Sequence, residues 1–150
     1  MRFTSEKDYA TIVKINRELV NIVADTNVVL YKLQQEQTTT NSYGEATSKI
    51  WYKGVLIPGL INLLNNTATE NMGTVDIEQQ VTVSFLREEC RSRNVYPESG
   101  DIVDWNDSYF EIHQVNEIQL YAGQTAYNHS IVCEAHLTRK TNLQLERPNV

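Results

Sequence analysis

Val95-Tyr96-Pro97-Glu98-Ser99-Gly100-Asp101-Ile102-Val103-Asp104-Trp105, then Asn106-Asp107-Ser108, then Tyr109-Phe110-Glu111-Ile112-His113-Gln114-Val115-Asn116-Glu117 is the stretch that decides the fold. Pro97 and Gly100 punctuate a turn. The runs on either side of Asn106-Asp107-Ser108 are aromatic and β-branched, and three small polar residues between such runs predict a β-hairpin.

Working outward, the same signals recur. Ile131, Cys133, Ala135 and Leu137 alternate with Val132, Glu134, His136 and Thr138, and Ile77, Gln79, Val81, Val83 and Phe85 alternate with polar neighbours, so both segments predict half-buried strands. Val28–Leu33 is short and β-branched and predicts a further strand. Lys49–Lys53 and Val55–Ile57 predict a strand interrupted at Gly54, with a turn at Pro58-Gly59. Asn65–Gly73 is read as a polar connector, and Leu86–Asn94 as a short charged helix with i,i+3 and i,i+4 pairs. At the N-terminus, Ser5 or Thr4 caps a helix over about 6–24, whose apolar residues are Ile12, Ile15, Leu19, Ile22 and Val23. The sum is a mainly β domain, a sandwich or barrel of about six or seven strands, with an N-terminal helix and a short peripheral helix.

With 150 residues the chain is expected to be one domain, and 21% charged against 41% hydrophobic residues is an ordinary globular balance. No apolar run approaches the roughly 18 residues of a membrane span, and the polar start Thr4–Asp8 does not resemble a signal segment. The expectation is therefore no membrane and a cytoplasmic site of synthesis. A net charge of −6 opposes a general nucleic-acid-binding surface, because phosphate neutralisation supplies most of such affinity. An acidic lining would instead let DNA pass without sticking.

Chemistry is sparsely encoded. Cys133 and His136 form a Cys-x-x-His pair, but positions three apart on a strand face opposite ways, and no second ligand pair stands at zinc spacing. The expectation is no metal, no cofactor and no catalytic residue. Glu88-Glu89 is read as a solvated face, and Asp101 as a turn-bonding residue. Of the adjacent aromatic pairs Trp51-Tyr52 and Tyr109-Phe110, one member each must leave the main core, and exposed aromatics suit subunit interfaces. Thr39, Tyr43 and Glu45, in a polar loop arm over about 38–47, together with Trp51, Trp105 and Tyr109, are the interface candidates. Asp104, Asp107, Glu111 and Glu117 are the candidate acids for a lumen or rim. The polar tail, about 141–150, is expected to fray or to reach a neighbour.

Ser99-Gly100-Asp101-Ile102-Val103, then Tyr109-Phe110-Glu111-Ile112, then Val115-Asn116-Glu117 also resembles the neck, or head-to-tail joining, proteins of contractile-tailed bacteriophages. The resemblance spans about Val81–Leu143, with a weaker echo in Leu30–Leu33, Thr40–Ala46 and Lys49–Tyr52. It implies a homo-oligomeric ring, commonly hexameric, in the virion neck, assembled in the host cytoplasm. Such a ring joins the DNA-filled head and portal or adaptor to tail-terminator or sheath proteins. A head-completion stopper and a tail-terminator or tail-completion ring both remain open. The competing classes are a small-molecule or carbohydrate-binding β domain using Trp51 or Trp105 as a platform, and a hydrolase with acids between Asp101 and Glu117.

Overall fold

The computed structural model describes residues 5–36, 39–40, 42–43, 46–71, 74–138 and 145–148. Helix α1 (Glu6–Glu18) continues through a π-helical segment, Leu19–Ala24. There follow β1 (Asn27–Tyr31), β2 (Thr39–Thr40), β3 (Ala46–Ser48), β4 (Val55–Asn71), β5 (Thr74–Leu86), α2 (Arg87–Arg93), β6 (Ile102–Trp105), β7 (Ser108–Leu120) and β8 (Asn128–Thr138). Six strands close into a barrel in the order β1-β4-β5-β8-β7-β6. Closure falls on β1: Leu30 opposes Val55 of β4 on one side and Val103 of β6 on the other, all antiparallel. The fold is thus a barrel and not a sandwich, and β2–β3 is a separate two-stranded sheet.

The deciding hairpin forms, with a loop one residue shorter than read. Trp105 pairs with Ser108, and Asn106 (φ 51°) and Asp107 (φ 58°) both occupy the left-handed region. Two successive positive φ values give the turn whose twist matches antiparallel strands, and Asn and Asp tolerate them. At the N-terminus Ser5 and Asp8 cap α1 reciprocally, Ser5 N donating to Asp8 Oδ2 at 3.0 Å and Asp8 N to Ser5 Oγ at 3.3 Å. The helical run ends at Asp25, φ 45°.

Period-two alternation builds the core. Val81, Val83 and Phe85 of β5 meet Ile131, Cys133 and Ala135 of β8, and Val28, Leu30, Ile57, Val103, Phe110 and Ile112 complete the interior. A second cluster of Tyr31, Trp51 and Ile102 gathers Val29, Leu33, Tyr109 and Leu145 around it.

Three expectations are corrected. Pro58-Gly59 is no turn: β4 runs straight through it. Pro58 is the last residue paired with β1, opposite Asn27, and Gly59 the first paired with β5, opposite Phe85. The missing proline N–H falls where the strand changes partners, and a Cβ on Gly59 would stand 3.2 Å from the Phe85 ring. Asn65–Gly73 is no connector either. Its described residues belong to β4, which pairs with β5 from Asn65–Gln80 to Asn71–Thr74. Among the described residues β8 follows β5 only as far as Gln80, and this end of the hairpin is a two-stranded ribbon, roughly 20 Å long at about 3.4 Å per residue. Finally, Lys49–Lys53 forms no strand. Trp51 makes an isolated bridge to Leu33, and at Gly54 the backbone closes so tightly on β1 that a Cβ would lie 2.5 Å from Val29 Cγ1.

Candidate assembly interface

The predicted interface residues divide by burial. Trp51, read as a candidate for exposure, is only 6% exposed, and its indole Nε1 donates to Gly100 O at 3.3 Å. Its neighbour Tyr52 is the one that faces out, at 55%. Burial also removes Trp51 as a stacking platform for a sugar. Trp105 is half-buried against the main core, its ring 6.3 Å from that of Phe110. Tyr109 is half-buried in the second cluster, edge-on to Tyr31 at 6.5 Å, and hydrogen-bonds Arg147. Thr39 is exposed on β2, opposite Ser48 on β3, and Tyr43 is 91% exposed. Glu45 lies outside the described residues.

The four candidate acids do not form one row. Asp104, Asp107 and Glu111 lie on the β6–β7 hairpin, whereas Glu117 is six residues further along β7, past the last residue that β6 pairs. Glu111 is held by Lys49 Nζ at 2.6 Å and Glu117 by Arg87 Nη2 at 3.2 Å. Asp104 is half-buried opposite Tyr109 and adds to the effect of burial in pushing the Tyr31 phenol up to about 12. Asp107 is exposed at the hairpin turn.

Asp101 is structural. Fully buried, it accepts from Leu33 N at 2.9 Å and Glu98 N at 2.8 Å and pairs with Lys32 Nζ at 3.0 Å, tying the start of β6 to the end of β1. Burial raises its carboxyl above the ordinary value, against these hydrogen bonds and the Lys32 charge. Asp101→Asn keeps the bond from Leu33 but turns an amide N–H₂ toward two donors. It is expected to cost about 1–2 kcal/mol, read by urea denaturation.

Glu89, expected on a solvated face, is 1% exposed. It anchors Arg17 of α1 at 2.6 Å, Arg93 of α2, and Asn21 Nδ2 at 3.2 Å. Burial pushes its carboxyl up, but hydrogen bonds from Arg93 and Asn21 and the charges of Arg93 and Arg17 outweigh that and hold it below the ordinary range. Tyr9, stacked on Tyr127 with ring centroids 4.4 Å apart, makes a second tie between α1 and the barrel.

With α1 tied this way, one side of the helical run stays open to solvent, although Ile12 and Val13 are half-buried. Ile15 is 50% exposed, Leu19 49%, and Ile22 and Val23 74% each, whereas Val20 is buried. The π-helical segment lies against β4, and Leu56, Leu60, Leu63 and Leu64 of β4 are also 44–54% exposed. Apolar spacing in the sequence locates the helix but does not tell which of its residues stay uncovered.

Among the described residues no group of three or more His, Cys, Asp or Glu side chains is placed to hold a metal ion. Cys133 is buried and His136 exposed, as strand alternation requires. Burial pushes the thiols of Cys90 and Cys133 up to about 11 and about 12, so both remain protonated and inert at neutral pH. No helix among the described residues is long and apolar enough to cross a membrane.

The geometry defines a class: a closed six-stranded antiparallel barrel with a surface-tied N-terminal helix and a projecting ribbon. No family model and no curated protein matches the chain. Among solved structures, a chain in the virion of a native gene transfer agent particle shares the fold, with a TM-score of 0.52 at 11% identity, covering 75% of this chain and 94% of that one.

Proposed function

We propose that this chain is a non-enzymatic virion structural protein that forms a homo-oligomeric ring in the neck of a phage-like particle, joining the head and portal to the tail. The observation that carries the reading is the fold shared with a gene transfer agent virion chain, nearly all of which the likeness covers. The resemblance of Ser99–Glu117 to phage neck proteins points the same way. A closed ring needs two different contact surfaces on each copy. The exposed apolar residues of the helical run and of β4, and the two-stranded ribbon, offer such surfaces. Within the neck, a head-completion stopper fits the resemblance best, with a tail-terminator ring as the alternative. Asp107, exposed at the hairpin turn, is the foremost of the rim acids, and DNA would pass them without specific binding.

Native mass spectrometry and negative-stain imaging test the reading. The expected result is a ring, most simply of six copies, alone or stacked on a purified portal or adaptor ring. A chain that stays monomeric with and without those rings, yet retains a sugar or nucleotide, overturns it. A second prediction concerns the 38–46 segment. Because β2–β3 stands apart from the barrel ladder, deleting it is expected to change stability by less than about 1 kcal/mol while weakening assembly. Loss of a cooperative thermal melt contradicts this.

A further inference from the structure

We infer that the belt made by the outer face of α1 with its π-helical segment and the outer leucines of β4 is the seat of a second copy of this chain. The inference rests on the ring reading only in naming the partner. Seven aliphatic side chains, each 44–74% exposed, fall on residues 15–23 and on positions 56, 60 and 64 of β4, against which the π-helical segment lies; Leu63, opposite the core residue Val81, shares the inward face. Together they offer on the order of 700 Å², which exceeds the apolar patch of an ordinary monomer and approaches what each partner contributes to a standard interface. Ile15, Leu19, Ile22 and Val23 follow the i, i+4, i+7, i+8 spacing of a helix that docks by one face. Beyond Leu64, β4 passes directly into the ribbon, whose pairs are flanked by no third strand among the described residues. A two-stranded ribbon is marginal by itself in water, so a copy seated on the belt also meets the element that most needs cover. The belt residues themselves are uncharged, whereas each copy carries a net charge of −6, so association is expected to tighten as salt screens that repulsion.

The test is the oligomeric state of the whole chain by light scattering and native mass spectrometry over a range of concentrations, at low salt and at about 0.5 M NaCl. Ile22→Glu/Val23→Glu and Leu60→Glu are expected to weaken self-association at least tenfold while keeping the wild-type thermal melt, since these side chains are already exposed. Ile118→Glu, on β7 and 74% exposed, is expected to assemble as wild type does. Belt variants that assemble as tightly as wild type overturn this inference and leave the ring reading standing. A wild-type chain that stays monomeric at every concentration removes the ring reading and this inference together. A monomer that instead binds a purified portal or tail ring protein, and loses that binding in Ile22→Glu/Val23→Glu, assigns the belt to another partner and also overturns it.

Discussion

Truncating Phe85 to alanine is expected to lower the unfolding free energy by about 3–5 kcal/mol, the range for removing a fully buried aromatic from a close-packed interior. Phe85 is entirely buried on β5, opposite Gly59 of β4 and Ile131 of β8. The strand opposite it cannot collapse into the gap, because Gly59 has no side chain to move and its N–H is held by Thr26 O at 3.0 Å. Equilibrium denaturation should therefore show a midpoint shift with an unchanged slope. Phe85→Leu, which refills most of the volume, should recover more than half of the loss. An alanine variant within 1 kcal/mol of wild type would mean that the barrel interior is not packed around this ring.

The second large effect belongs to Glu89. Glu89→Ala is expected to cost about 3 kcal/mol, the lower end for breaking a buried ion pair, since Arg17 and Arg93 are partly exposed and can recover water. The loss should appear first as release of α1, seen as faster amide exchange over residues 6–24 before the barrel opens. Glu89→Gln keeps the shape and the Asn21 bond and should cost about half as much. The pH dependence has a definite sign. The folded carboxyl sits below its ordinary value, so its contribution is complete above about pH 4.3 and disappears as pH falls through the folded value. The stability gap between wild type and Glu89→Gln should therefore close on acidification from pH 6 to pH 3. A gap that widens instead contradicts the pairing.

The sequence disclosed this fold where local chemistry and tertiary role agree. The β6–β7 hairpin, β8 and the inner half of β5 could all be read because their alternation marks one wet and one dry face. Asn106-Asp107 could be read because the turn demands left-handed backbone. The outer hairpin was hidden for the opposite reason. Asn65–Asn71 is polar and carries no alternating pattern, and Pro58-Gly59 carries a turn signature that matters only locally. Glu89 is buried and not solvated because its partners lie on two helical segments: Arg93 is four residues away, but Arg17 is 72 residues distant, and nothing in the spacing announces that contact. The interface candidates depended on which member of an aromatic pair turns inward. Trp51 does so because Gly100 presents its carbonyl to the indole, a contact across 49 residues that periodicity does not contain.

Because β4 runs as one strand from the barrel wall into the ribbon, with a register shift between Leu63 and Asn65, the ribbon is a lever whose fulcrum is the wall itself. A pull along it draws β4 and β5 the same way, so the load reaches the β1–β4 and β5–β8 ladders in shear, many bonds sharing the strain at once, instead of peeling them singly. Displacement at the tip is thereby delivered to Pro58 and Gly59, where the wall of β1 begins.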